Sequence, residues 1–397
     1  MIFDHILNLE VHRDSLEERV KIATKLKVDH DRASDFLSEL SRKLTSVKIA
    51  KLHPELVSLG FFLRRSETSR MTTQKSDRYI SVPKGLLFHV PPANVDTIFV
   101  YSWAISLLCG NANVIRVSDR SGAAARTVLS IIRELFETKF SDLAKSQLFL
   151  EIPRDDVFFN FISSICDLRV LWGGDLAINE LRKYSMDAKA TDITFPDRSS
   201  FSCINSRALA LLSGLELSNL IEKFANDVWW FDQAACSSPK MIFWVGTVDQ
   251  NEKSRHVFLS ALSHYLENAN LGGDPAMSVE RLSRLIQVAM TEESSLDFSY
   301  KRMATARTFT NPRDWLGTGS FIEIMVSSLD EIAPHVRKRD QTLTYFGFQK
   351  ELFHTLITKI ESHGIDRIVP IGEALSFDSV WDGYNLNEVF TRKITLL

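Results

Sequence analysis

Cysteine is scarce in this chain: four in 397 residues, widely separated and without metal-ligand spacing. That pattern argues against a disulfide scaffold or a zinc site and for a reducing compartment. An excess of one charge is also lacking. Forty-seven basic against fifty acidic side chains give a formal charge of −3, so there is no global electrostatic case for nucleic acid or an anionic membrane. The local run Arg337-Lys338-Arg339 reads as solvated helix surface. No hydrophobic run is long enough to span a bilayer, the longest being Ile98 to Cys109 with two polar interruptions. The start, Met1-Ile2-Phe3-Asp4-His5, has an early acid and no basic-then-apolar layout, so a secretory signal is not expected. Internal repeats and low-complexity tracts are missing as well. The cytoplasm is the compartment that fits.

With 45% hydrophobic residues the chain can bury a large core, and its length predicts two or three domains. The first seventy residues read as helices, with starts at Asp14 and Asp31. Ser66 to Arg78 is polar and reads as an exposed connection or a pair of edge strands. From Gly85 strands and helices alternate: strands over Gly85–Val90, Asn113–Val117, Leu148–Leu150 and Leu168–Trp172, and helices over Asp96–Leu108, Ser121–Lys139, up to Cys166, and from Asp175. Such alternation predicts a parallel sheet covered on both faces, with ligands at the carboxyl ends of its strands. Three loops fall at such ends, Pro91–Val95, Ser118–Arg120 and Gly173–Asp175. The Gly-x-Gly-x-x-Gly dinucleotide fingerprint is absent, which by itself counts against a nucleotide site. A second globular region is expected from Asn205 to Ser379, with strands at Met241–Val245 and Ser320–Met325 and helices at Ser278–Met290 and Leu352–His363, the last capped by Gly364. A strand-like tail closes the chain.

Cys236 is the one cysteine outside or beyond the edge of an apolar run. It lies in Asp232-Gln233-Ala234-Ala235-Cys236-Ser237-Ser238-Pro239, a polar break before Met241-Ile242-Phe243-Trp244-Val245. Cys109, Cys166 and Cys203 read instead as small core hydrophobes. Cys236 has companions in Pro91-Pro92-Ala93-Asn94, in Gly110-Asn111-Ala112-Asn113-Val114-Ile115-Arg116-Val117-Ser118-Asp119, and in Trp172-Gly173-Gly174-Asp175. Others are Gln341-Thr342-Leu343, Gly364 to Glu373, and Trp381-Asp382-Gly383. In this order, from about residue 80 to the C-terminus, they resemble the aldehyde dehydrogenase superfamily and within it the LuxC-type acyl-CoA reductases, which supply aldehyde in bacterial bioluminescence. That superfamily also lacks the glycine fingerprint.

The resemblance implies an α/β chain of aldehyde dehydrogenase-like fold: a Rossmann-type cofactor domain, an α/β catalytic domain and a small oligomerisation element. The expected boundaries are 1–204 for the N-terminal helices and cofactor domain, with an oligomerisation hairpin within 65–84, 205–379 for the catalytic domain, and 380–397 for the returning tail. It implies an NAD(P)H-dependent enzyme that reduces an acyl thioester, acyl-CoA or acyl carrier, to an aldehyde through an acyl-Cys236 intermediate. A cysteine titrates near ~8.5 unless its surroundings intervene, and no base is evident in the sequence. Asn94 matches the amide that, with the Cys236 N–H, receives charge on the carbonyl oxygen; otherwise it is a turn asparagine. Arg116 and Ser118 match the contacts to the adenosine ribose or its phosphate. Asp119 matches an acid that binds free ribose hydroxyls and repels a 2′-phosphate, so NADPH is the family habit while NADH stays open; equally, Asp119-Arg120 caps the next helix. Gly173 and Gly174 match the residues that let a pyrophosphate approach a helix N-terminus. No metal is implied.

Thr194 stands where oxidising relatives carry the glutamate that activates water, which favours a reductase over an aldehyde dehydrogenase making free acid. The remaining alternative is a non-reducing acyl-transfer subunit. The partners implied are the acyl substrate, an acyl-protein synthetase and further copies of the chain. His89 reads as a core residue, Trp229 and Trp230 as pocket wall or core, and Glu323 lies near the stretch where relatives hold the nicotinamide ribose.

Overall fold

The computed structural model describes residues 17–23, 28–53, 55–71, 78–92, 97–118, 120–151, 155–310, 316–360 and 364–396. In chain order the elements used below are α1 (His30–Leu44), β1 (Tyr79–Pro83), β2 (Leu86–Val90), α2 (Ile98–Leu108), β3 (Ala112–Val117), α3 (Ala123–Thr138), β4 (Gln147–Glu151), α4 (Asp156–Ile165), β5 (Leu168–Trp172), α5 (Asp175–Arg182) and β6 (Thr191–Phe195). They continue with β7 (Ser199–Asn205), α6 (Gly214–Trp229), β8 (Pro239–Val245), α7 (Val248–Asn268), α8 (Pro275–Thr291), β9 (Ser294–Asp297), β10 (Ala304–Thr308), β11 (Ser320–Val326), β12 (Asp340–Phe346), β13 (Arg367–Pro370), β14 (Val380–Trp381), β15 (Tyr384–Asn385) and β16 (Thr391–Thr395).

Two compact units result: Met1–Pro196 with Phe377–Leu397, and Asp197–Ser376. The first boundary falls before β7 rather than at residue 204, because Ser199–Asn205 pairs with β8 and β12 in the second unit's sheet.

In the first unit β4-β3-β2-β5-β6 form a parallel sheet. Alternate residues of its strands feed two apolar cores, as the two-residue period requires. Leu87, Ile115, Phe149 and Val170 pack with α1, α2 and α3 on one side; Leu86, Phe88, Val114 and Leu171 pack with α4 and α5 on the other. Every residue of α2 is buried. That explains its continuous apolar run, which belongs to a central helix; among the described residues no helix is long and apolar enough to cross a membrane. Helix α1 starts one residue before Asp31, since the Asp29 carboxylate caps it by accepting from Arg32 N at 2.9 Å.

The expected edge strands over Ser66–Arg78 are not found among the described residues. That stretch opens with a one-turn helix, Arg65–Thr68, and a 3₁₀ turn, Ser69–Met71. The strand comes after it: β1 pairs antiparallel with β16, Tyr79 opposite Thr395 and Pro83 opposite Thr391. Among the described residues the segment 65–84 therefore supplies one strand, and its partner in the ribbon is the C-terminal tail.

The second unit holds a sheet of order β13-β12-β7-β8-β11-β10-β9, parallel except for β9. Helices α6 and α7 cover one face through Phe224, Phe258 and Leu262, and α8 lies on the other through Leu285 and Val288. The helix expected at Leu352–His363 is Phe353–Lys359, too early for Gly364 to cap it among the described residues. Gly364 has φ +60°, and a Cβ there would lie 2.2 Å from the Arg337 carbonyl oxygen, so close approach is what requires glycine.

A buried ion pair ties α7 to this sheet. Glu323 of β11 is fully buried and accepts from Arg255 Nε at 2.9 and 3.0 Å and from Trp244 Nε1 at 2.8 Å. Arg255 also donates to Asp297 at 2.7 Å. Glu323 is thus committed to packing rather than to a ribose. Arg255→Met leaves that carboxylate buried without its cation, at a cost of about 3–5 kcal/mol. Thermal unfolding should show a large fall in midpoint for the single variant and substantial recovery in Arg255→Met/Glu323→Leu; equal midpoints for wild type and the single variant would refute the assignment.

Candidate active site

The segment carrying Cys236 joins α6 to the amino end of β8. Asp232 (φ 49°) and Gln233 (φ 64°) both take the left-handed conformation, which costs about 1–2 kcal/mol per residue. The reversal is held by backbone bonds from Gln233 N to Val228 O and from Ala234 N to Phe231 O, each 2.7 Å. The buried Gln233 side chain uses both its ends: Oε1 accepts from Gly319 N at 2.9 Å, and Nε2 donates to Pro239 O at 2.8 Å and Ser320 O at 3.1 Å. It therefore fastens the segment to the start of β11.

A tight turn follows, closed by Ser238 N donating to Ala235 O at 3.0 Å, with Cys236 and Ser237 at its two central positions. Ser238 Oγ donates to the Asp227 carbonyl at 2.6 Å. Ser200 Oγ, from the beginning of β7, donates to the Cys236 carbonyl at 2.7 Å and accepts from Thr342 N at 3.1 Å. Cys236 and Cys109 are each half-buried, whereas Cys166 and Cys203 are buried. Burial pushes the Cys109 and Cys166 thiols up to about 12 and the Cys203 thiol up as well. Those three stay protonated at neutral pH and are poor nucleophiles.

His89 is fully buried, bonded to Ser102 Oγ at 3.1 Å and Asn113 Oδ1 at 2.9 Å. Burial pushes its pKa down to about 4, so it is a neutral member of a core network that continues through Asn113 and Ser106 to Gln147 and Trp103.

In the first unit the chain runs outward from β2 through β3 to β4 and then returns to β5 on the other side of β2. The β2/β5 junction is thus a topological switch point, where open α/β sheets form a ligand crevice at the strand carboxyl ends. Pro91 and Pro92 follow β2; Asn94 lies outside the described residues. After β5, Gly173 takes φ +147° and Gly174 is the N-cap of α5. A Cβ on Gly173 would meet only Ala177 Cβ at 3.5 Å, an ordinary contact, so conformation rather than crowding favours glycine there. Arg116 is the half-buried penultimate residue of β3. Ser118 is buried, and its Oγ accepts from Arg120 N at 3.2 Å while its carbonyl accepts from Ser121 N at 3.1 Å. Asp119 lies outside the described residues. The N-cap of α3 is Gly122, which gives Asp119-Arg120 no cap position.

A family model, acyl-CoA reductase (LuxC), matches residues 14–296. The chain belongs to the acyl-CoA reductase (LuxC) family. Among its relatives, the long-chain acyl-protein thioester reductase of Aliivibrio fischeri is 24% identical over 311 residues, 75% of this chain and 60% of that protein. The corresponding reductase of Photobacterium phosphoreum is 21% identical over 362 residues, 87% of this chain and 72% of that protein. The match thus spans well under the full length of the Aliivibrio relative. Among solved structures, aldehyde dehydrogenase 21 from Physcomitrella patens superposes with TM-score 0.69 at 10% identity, over 98% of this chain and 89% of that one. Glyceraldehyde-3-phosphate dehydrogenase from Methanocaldococcus jannaschii, solved with NADP, gives 0.68 at 11% identity, over 98% and 93%. The fold of this LuxC family member is therefore that of the aldehyde dehydrogenases.

Thr194 is the penultimate residue of β6, opposite Leu171. Trp229 is buried in the core beside Phe321, at 6.0 Å between ring centroids, whereas Trp230, at the end of α6, is half-buried. Two residues that no sequence feature singled out matter here. Ser200 touches the Cys236 peptide. Asp227, on the last turn of α6, accepts from Gly372 N at 2.7 Å and Ala374 N at 3.0 Å and so joins the helix that precedes the Cys236 segment to the stretch Gly372 to Ala374. Burial dominates its titration and pushes its pKa from 3.8 to about 7, although the two N–H donors oppose the shift.

A carboxyl whose folded pKa is raised binds more protons folded than unfolded, so stability falls as pH rises from the unfolded value towards the folded one. Across pH 4 to 7 wild type should lose stability relative to Asp227→Asn, which has no proton to release. Thermal midpoints measured at several pH values test this, and parallel curves would refute it.

Proposed function

We propose that this protein reduces an acyl thioester, carried by coenzyme A or a protein, to an aldehyde with NADPH or NADH, through a covalent acyl-Cys236 intermediate. The observation that carries the reading is the Cys236 turn: a half-buried thiol at the head of a strand, its neighbouring peptides fixed by buried side chains, while the other three thiols are held protonated by burial. The family's reductases, named for long-chain acyl-protein thioesters, support the substrate class.

The Cys236 thiolate attacks the thioester carbonyl, forming a new C–S bond. Collapse of the tetrahedral adduct breaks the bond to the carrier sulfur, which leaves as a thiol after taking a proton. The Asn94 amide and the Cys236 N–H hold the negative oxygen; a neutral amide suits this because it cannot lose its proton. What supports a dinucleotide in the first unit is a glycine with positive φ and a helix N-terminus beside the switch point, with Arg116 penultimate in β3 and Ser118 just beyond the strand. Gly173 and Gly174 would admit the pyrophosphate, Arg116 and Ser118 the adenosine ribose or its phosphate. When bound, a reduced nicotinamide would supply a hydride to the acyl carbon; breaking the Cys236 C–S bond then releases the aldehyde and returns Cys236 as its thiolate. Thr194 provides no carboxylate to activate water, which favours reduction over hydrolysis to free acid. The β1–β16 ribbon exposes Ile80, Ile394 and Leu396 and supports a homo-oligomer. An acyl-activating synthetase as supplier and the cytoplasm as location complete the reading.

Cys236→Ala should abolish both acylation and aldehyde formation while leaving dinucleotide binding intact, as read by mass spectrometry after incubation with a panel of acyl-CoAs and by cofactor titration. Undiminished turnover in that variant would end the mechanism.

The cofactor preference turns on Asp119. Its carboxylate beside the ribose would repel a 2′-phosphate, so Asp119→Ser should raise kcat/KM with NADPH relative to NADH. An unchanged ratio would remove Asp119 from the site.

A further inference from the structure

We propose that Ser200 is a positioning residue for the nucleophile, locking the central peptide of the Cys236 turn in one of its two orientations. The inference rests on the reading of Cys236 as nucleophile. A four-residue turn has a central peptide that can flip, and the ψ of its second residue differs by about 150° between the two common forms. Cys236 is that second residue, so a flip would turn its carbonyl and the Ser237 N–H, the two dipoles adjoining the residue that carries the thiol, to the opposite side.

The structure opposes the flip at one atom. The central carbonyl is that of Cys236, and Ser200 Oγ donates to it at 2.7 Å. The observed orientation leaves Ser237 without a positive φ, which the flipped form would need and a serine disfavours. The hydroxyl is itself fixed, because it accepts from Thr342 N at 3.1 Å and Ser200 is fully buried.

Local irregularity in two ladders aims it there. The β7–β8 register shifts between Ser200 and Phe201, and the β7–β12 register shifts between Asp340 and Leu343. Ser200 stands opposite Pro239, which has no N–H to give to a ladder. A local break in a ladder can re-aim a side chain, as bulges do next to functional sites. The Ser200 hydroxyl consequently takes a place between the Thr342 amide and the Cys236 carbonyl. Ser238 and Gln233 hold the two flanks of the turn through other atoms, so Ser200 alone among these three side chains grips the central peptide.

The test compares full-length wild type, Ser200→Ala, Ser200→Thr and Ser238→Ala. Three quantities are measured: the rate of Cys236 alkylation by iodoacetamide, the single-turnover rate of acylation by hexadecanoyl-CoA, and the Kd for NADPH. Ser200→Ala should slow alkylation and acylation roughly tenfold, the worth of one ordinary hydrogen bond, with an unchanged Kd. Ser200→Thr keeps the hydroxyl and should stay within about threefold of wild type. Ser238→Ala, which removes a buried hydroxyl from the flank, should slow alkylation less than Ser200→Ala. Wild-type alkylation in folded Ser200→Ala, or equal losses in Ser200→Ala and Ser238→Ala, overturns the proposal. If Ser200→Ala does not fold, a folded Ser200→Thr that alkylates tenfold slower also overturns it. Failure of the nucleophile reading is separate, since it is seen as turnover retained in Cys236→Ala whatever the alkylation rates.

Discussion

Peptide groups buried at the end of a sheet have no water to bond, and leaving one unmet costs on the order of 1–3 kcal/mol. At the amino end of the second unit's sheet this constraint falls on the loop that carries Cys236. Three side chains meet it: Gln233 with Gly319, Ser320 and Pro239, Ser200 with Cys236 and Thr342, and Ser238 with Asp227. Each bond satisfies a main-chain group and also removes a degree of freedom from the turn. Stability and the fixed shape of the Cys236 turn thus share the same atoms, and the left-handed residues Asp232 and Gln233 persist because these bonds over-determine the chain around them.

The same constraint shapes the first unit, where polar side chains are buried beneath α2. Asn111, Asn113 and Gln147 would be liabilities in an apolar core unless fully bonded. Asn111 accepts from Gly85 N and donates to Ser106 O and Phe390 O, and Gln147 accepts from Trp103 and Asn113. Phe390 belongs to the returning tail. Asn111 therefore joins the start of β2 to the chain's last turn of helix before β16, a link between residues far apart in sequence. It also gives the Gly110-Asn111-Ala112-Asn113 motif a packing role of its own at the start of β3.

Much of the fold was legible because its signals are local. The alternation from Gly85 onward has the periods of strands and helices, and the buried α2 is visible as an unbroken apolar run. The errors fell where pairing is long-range. Nothing in Tyr79–Pro83 reveals that its partner is Thr391–Thr395 rather than a neighbouring strand, and nothing in Ser199–Asn205 says which of two sheets it joins. Gly364 looked like a helix cap because spacing suggests one, whereas its reason is the Arg337 carbonyl beside it. The polar setting of Cys236 was legible as a break before an apolar strand, which is where it stands, at the head of β8. Ser200 and Asp227 were not, since a serine in a strand and an aspartate in a helix carry no mark until folding brings them to the turn.

The two sheets are read from opposite ends, which explains the difference in legibility. In the first, the switch point between β2 and β5 lies at the carboxyl ends of parallel strands, so topology alone identifies the crevice. In the second, the Cys236 segment precedes β8 and lies at the amino end, where no general rule of α/β sheets places a ligand. Helix N-termini and their N–H groups face the carboxyl ends of such strands; at the amino end the chain must supply its own donors. Side chains such as Ser200 and Gln233 do so here. A site built in this way depends on particular side chains rather than on the architecture, and is correspondingly more exposed to single substitutions than one framed by helix ends and glycines.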